Sequence, residues 1–269
     1  FKEIFIGVSM SFIAVQGHRI ECVRLPSAHP KESYLSIVFL HEGLGSVAMC
    51  RDFPQVVADA TGCESVVYSR YGYGRSDPIT RPHDVGFMHN EGLNVLPELL
   101  DKLSLHKPIL LGHSDGASIA LICAGGTKVP LTGVIVMAPH VLVEDVCIRS
   151  IVAAKAIYDD PETHLRERLA KFHAHVDSAF RGWNDVWLHP QFPFWNIEEY
   201  LPTISCPILA IQGEDDEYGT MDQLDRIARQ AKDVQLLKLA DCRHSPHKDQ
   251  PEAVLEEVGA FVQRLMSSP

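Results

Sequence analysis

The residues with the clearest chemical spacing are Gly112-His113-Ser114-Asp115-Gly116, which fit G-x-S-x-G. An apolar run, Ile109 to Leu111, precedes them and reads as a buried strand. Ala117 to Ile122 follow as an apolar helix. A serine at such a strand-to-helix turn takes a strained backbone and lifts its hydroxyl above the sheet. Its neighbours two before and two after must then be small, and Gly112 and Gly116, lacking Cβ, meet that need. The start of the helix aims backbone N–H groups at any anion formed there. The chemistry this predicts is nucleophilic attack by Ser114.

A serine hydroxyl is a weak nucleophile without a base, and a histidine base needs a carboxylate to fix its tautomer. Ligands of open α/β sheets bind at the carboxyl ends of the strands. The partners should therefore follow the later strands, in the order Ser, Asp, His. After the apolar run Cys206 to Ile211 comes Gly213-Glu214-Asp215-Asp216-Glu217, and after Val234 to Leu239 comes Asp241-Cys242-Arg243-His244, with His247 close behind. His244 is nearer the strand end and is taken as the base, with His247 in reserve. Periodicity does not choose between Asp215 and Asp216, because both lie in a loop.

The elements that must position these groups alternate. Residues 3–9, 12–15 and 18–25 read as an opening antiparallel meander. Strands are predicted at 36–40, 65–68, 132–137, 206–211 and 234–239, and helices at about 50–61, 90–104, 221–231 and 251–266. This alternation implies a parallel sheet with right-handed crossovers. From 143 to 200 no strand appears and the pieces are amphipathic and helical. The domain reading is a core of 1–142 and 201–269, with 143–200 inserted as a helical cap, or lid.

With 269 residues the chain can bury a large core. Its net charge of −11, with no dense Lys/Arg cluster, argues against nucleic acid and against an anionic membrane surface. No apolar run is long enough for a membrane span. The Ile4 to Val15 run is read as strand, since its flank is only Lys2-Glu3 and no A-x-A-like site follows closely. Seven scattered cysteines, an odd number with no C-x-x-C, favour free thiols and a cytoplasmic setting. A monomer or homodimer is expected.

Four motifs in order, His41-Glu42-Gly43-Leu44-Gly45, Gly72-Tyr73-Gly74-Arg75-Ser76, the Ser114 turn, and Gly213-x-x-Asp216 with Asp241 to His244, resemble the α/β-hydrolase superfamily over nearly the whole chain. The resemblance implies an α/β fold: a mostly parallel eight-stranded sheet with helices on both faces and an inserted helical lid. It favours Asp216, three residues after the glycine that ends its strand. It also implies an oxyanion hole made by the N–H groups of Asp115 and Gly43, with Leu44 as the alternative. Two departures stand out. Glu42 replaces the usual glycine after His41, and is expected to turn from the site toward Arg51 or Arg75. Ser69 stands where relatives often have aspartate, which would alter loop packing.

The reaction expected is carboxylesterase-like cleavage of a small-molecule ester through an acyl-enzyme, without a cofactor. A serine at the elbow disfavours dehalogenase and epoxide-hydrolase chemistry, where relatives use aspartate. The competing enzyme reading is a C–C bond hydrolase acting on a dienoate ring-cleavage product, against which the acids Glu42 and Asp115 count. A small-molecule receptor built on the same fold is the remaining alternative. Candidate substrate contacts are Glu42, Asp115, His140, Trp183 and Trp187. Asp115 is either a helix-start acid stabilised by the macrodipole or a carboxylate selecting cationic substrates. The aromatic-rich stretch 172–195 is mostly internal packing with a few pocket residues. His140, His173 and His175 lack metal-ligand spacing, so no metal is expected.

Overall fold

The computed structural model describes residues 10–30 and 35–267. The strand expected at 3–9 lies outside the described residues. The sheet has eight strands in the order β1-β2-β4-β3-β5-β6-β7-β8. β1 (Met10–Val15) and β2 (His18–Leu25) form an antiparallel hairpin that turns at Gly17, whose φ of +78° suits a residue without Cβ. β2 pairs antiparallel with β4 (Glu64–Tyr68). From there every pairing is parallel, through β3 (Ser36–Leu40), β5 (Ile109–His113), β6 (Gly133–Met137), β7 (Ile208–Gly213) and β8 (Val234–Leu239).

β3, β5, β6 and β7 are buried along their whole length, which is why they read as unbroken apolar runs. Side chains alternate between two cores. Ile37, Phe39, Ile109, Leu111, Ile135 and Leu209 pack under α1 (Phe53–Thr61) and α10 (Pro251–Ser267). Val38, Leu40, Leu110, Val134 and Val136 pack on the other face under α4 (Asp115–Gly126). α4 is buried on all sides through its first nine residues, which are apolar or small apart from Asp115. The helix predicted at 90–104 is a rod of α2 (Phe87–Asn90), a π turn (Glu91–Val95) and α3 (Leu96–Lys102).

Between β6 and β7 the described chain has helices and loops and no strand, apart from one isolated bridge, Leu142 to Asn196. It contains α5 (Asp145–Asp159), α6 (Leu165–Leu169), α7 (Val176–Trp187) and three short 3-10 turns. α8 (Asp222–Gln230) and the short α9 (Pro246–Asp249) complete the fold. All seven cysteines are free thiols. No described helix is long and apolar enough to cross a membrane.

Ser69 shows how the chain manages without the usual aspartate. Glu21, buried on β2, supplies a carboxylate from the neighbouring strand. Its Oε2 accepts from Ser69 Oγ at 2.7 Å and from the Arg75 N–H at 2.9 Å. Gly74 passes so close that a Cβ there would lie 2.2 Å from Ser69 Oγ.

Candidate active site

Ser114 sits between β5 and α4 with φ +53° and ψ −120°, a backbone that only a constrained turn holds in a residue with Cβ. The tightness of this turn explains both flanking glycines. A Cβ on Gly112 would lie 2.3 Å from the Gly116 carbonyl oxygen, and one on Gly116 would lie 2.1 Å from that of Leu40. The Ser114 N–H donates to Met137 O at 2.9 Å and pins the turn to the end of β6.

Loops after β7 and β8 bring in the partners. A Cβ on Gly213 would strike Cys242 O at 2.0 Å, so glycine there lets the two loops touch. The Asp215 N–H donates to that same carbonyl at 3.0 Å. The next residue, Asp216, turns inward: its Oδ1 lies 2.8 Å from His244 Nδ1, and His244 Nε2 lies 3.0 Å from Ser114 Oγ. Asp216 also accepts from the Tyr218 N–H at 2.8 Å and from Gln212 Nε2 at 3.2 Å. Burial alone would raise its pKa, but the hydrogen bond and charge of His244 outweigh that and hold the carboxyl below its ordinary value. Asp216 thus keeps Nδ1 protonated and leaves Nε2 as the acceptor facing the serine. Between Asp215 and Asp216, only the latter reaches the imidazole. His247 lies away from the hydroxyl, against Phe53 and His113, and burial lowers its pKa to about 3.

A cavity of about 120 Å³ opens over Ser114 and His244. Its lining includes all five expected contact residues, Glu42, Asp115, His140, Trp183 and Trp187, and also Cys147, Ile151 and Tyr218. The last three were missed because nothing in their local sequence separates them from ordinary packing residues. A larger hollow of about 1110 Å³, lined by Arg24, Glu64, His106 and Lys107, lies at the amino ends of the strands, remote from the serine. The backbone N–H groups of Asp115, Gly43 and Leu44 donate to no acceptor among the described residues. His140 is buried, which lowers its pKa to about 3, so its imidazole is neutral at ordinary pH.

Glu42 corrects one expectation. Its carboxylate faces His113, with Oε2 3.7 Å from Nδ1, in place of Arg51 or Arg75. The missing side chain of Gly45 makes the fold-back possible, since a Cβ there would lie 2.4 Å from Oε2. Burial raises the Glu42 pKa, but His113 and Lys248 more than offset it and the net direction is down. His113 Nε2 in turn donates to the His244 carbonyl at 2.7 Å, a link from Glu42 to the backbone of His244.

Asp115 is fully buried. Its Oδ1 accepts from Trp187 Nε1 at 3.2 Å, and its Oδ2 lies 3.8 Å from the buried Arg70 guanidinium. Burial raises its pKa against the opposing charge of Arg70. The local sequence hid Arg70 as a partner, because a basic residue in a Gly-rich loop reads as surface. His173 is a backbone clamp: Nδ1 accepts from the Gly74 N–H at 3.0 Å and Nε2 donates to Leu44 O at 2.9 Å. Among the described residues no cluster of three His, Cys, Asp or Glu is arranged to hold a metal ion.

An eight-stranded, mostly parallel sheet with a serine elbow at a strand end defines an α/β-hydrolase. A family model for the alpha/beta hydrolase family matches residues 37–257, and the chain belongs to that family of enzymes. Human (Homo sapiens) serine hydrolase BPHL is 24% identical over 185 residues, spanning 68% of this chain but only 63% of the relative. Among solved structures, proline iminopeptidase from Mycobacterium smegmatis superposes with a TM-score of 0.75 at 17% identity, covering 96% of this chain and 98% of that one. The enol-lactonase from Burkholderia xenovorans gives 0.74 at 17% identity, covering 94% and 100%. At such identities these structures share the fold.

Proposed function

We propose that the chain is a serine esterase that cleaves small uncharged carboxylic esters through an acyl-enzyme. The observation that carries this reading is the relay Ser114 Oγ, His244 Nε2, His244 Nδ1, Asp216 Oδ1, with links of 3.0 and 2.8 Å at the floor of a small cavity. His244 takes the Ser114 proton as Oγ bonds to the ester carbonyl carbon, and returns it to the leaving alkoxide, which departs as alcohol. Asp216 stabilises the transient imidazolium. Water, deprotonated by His244, then attacks the acyl-enzyme and releases the acid. The free N–H groups of Asp115 and Gly43 receive the negative oxygen in both halves. The segment 143–200 acts as a lid, contributing Cys147, Ile151, Trp183 and Trp187 to the cavity wall.

The preference for an uncharged acyl group rests on where the polar groups of the site already point. Asp115 faces Arg70, Glu42 faces His113, and His140 is neutral. A cationic substrate at Asp115 would compete with Arg70, and an anionic dienoate would meet no unmatched cation in the lining.

Ser114→Ala should lower kcat for p-nitrophenyl acetate by ~10⁶ and abolish labelling by a fluorophosphonate. Near-normal turnover or labelling in that variant would overturn the reading.

A further inference from the structure

We propose that Trp183, carried on α7, is a catalytic residue whose indole N–H is a third donor to the oxygen that becomes negative during acyl transfer. The inference rests on the esterase reading above and adds a group from outside the sheet.

Three observations converge on this side chain. Trp183 lies edge-on against Gly43: a Cβ on that glycine would lie 2.1 Å from Trp183 Nε1 and 2.3 Å from Cδ1. The N–H edge of the indole therefore occupies the space that any other residue at 43 would fill, beside the backbone N–H assigned to the oxyanion. Second, Trp183 is only 7% exposed, but its Nε1 keeps accessible surface and bonds no acceptor among the described residues. A buried indole N–H ordinarily finds a partner. Trp187, one turn further along α7, does so by donating to Asp115 Oδ1 at 3.2 Å. Third, Trp183 lines the cavity that holds Ser114 and His244, and the two carboxylates of that lining are turned to other partners, Glu42 to His113 and Asp115 to Arg70 and Trp187. The acceptor that suits this N–H is an oxygen of the substrate, and the one nearest Gly43 is the reacting carbonyl.

The arrangement also explains the glycine. Any side chain at 43 would push the indole off, so Gly43 admits both the backbone approach and the tryptophan. Because α7 belongs to the segment 143–200, the donor set is complete only when that segment sits on the sheet as it does here.

The test compares Trp183→Phe with the wild type on p-nitrophenyl acetate and on the matching thionoester, by stopped-flow acylation and steady-state kinetics. A donor that acts on the developing charge predicts a fall in kcat of tenfold or more with KM within about twofold. It also predicts a smaller penalty on the thionoester, whose sulfur is a poorer acceptor. Replacing Trp183 with benzothienylalanine, which keeps shape and loses only the N–H, should reproduce the loss; this second variant serves if the phenylalanine form does not fold. Equal penalties on oxygen and sulfur substrates, or full activity of the benzothienylalanine enzyme, would overturn the role of Trp183. A Ser114→Ala enzyme that still turned over the ester would instead overturn the esterase reading itself.

Discussion

Glu91 is a carboxylate in the wrong solvent. It is 6% exposed and its Oε2 has no hydrogen-bond partner among the described residues. Burial raises its pKa from 4.5 to about 7, with Arg70 opposing. The consequence for stability has a definite sign. Below about pH 4.5 the group is protonated whether the chain is folded or not. Between that value and about 7 the folded state keeps a proton that the unfolded state releases, so stability falls as pH rises. Above 7 the loss is complete. Glu91→Gln should remove this slope, gaining up to ~3 kcal/mol over the wild type between pH 4 and pH 8. Urea unfolding of both proteins at the two pH values measures it, and parallel pH dependences would contradict it. The same residue shows why acids are hard to read locally. Glu91 looks like a helix-start acid, and only the packing of its turn against α4 reveals the cost of its charge.

At the scale of elements, the elbow is the most constrained joint. Gly116 meets backbone, the Leu40 carbonyl, and backbone yields less readily than a flexible side chain. Gly116→Ala must therefore push α4 off β3. We expect a loss of ~2 kcal/mol, in the range of overpacked cores, and a Tm lower by ~5 °C. Activity should fall further than stability, because the shift moves Ser114 relative to His244. Calorimetry with esterase kinetics would test this, and an unchanged Tm would show that the joint gives way easily. The rod at 87–102 teaches a related lesson. Leucine spacing identified it as helical, yet its middle is a π turn that brings Glu91, Gly92 and Val95 inward together. A regular 3.6-residue period has no place for the extra residue such a turn accommodates.

For the whole molecule, the prediction is that substrate size is set where the sheet rim meets the helical segment. Cys147, Ile151, Trp183 and Trp187 close over Ser114 and leave about 120 Å³. A space this small favours a short acyl chain over a long one. kcat/KM for p-nitrophenyl esters should therefore peak at or below butanoate and drop at least ~10-fold by octanoate. Ile151→Ala should move the optimum to longer chains. A steady rise in kcat/KM through octanoate would show that the segment opens in solution and does not limit the acyl group.

The amino-acid sequence alone determined the parallel sheet, the serine elbow and the loops that carry Asp216 and His244. Glycine spacing, apolar runs and the order of strands are properties of neighbours along the chain, and there they can be read directly. It did not decide between Asp215 and Asp216 by physics, because adjacent loop residues differ only in which way the backbone turns them. It misplaced the partner of Glu42, since the space above Gly45 and the approach of His113 exist only after β3 and β5 pair. Arg70 against Asp115, Glu21 beside Ser69 and Trp183 over Gly43 belong to the same class. Each joins residues from separate elements, and packing in three dimensions is the only thing that brings them within reach.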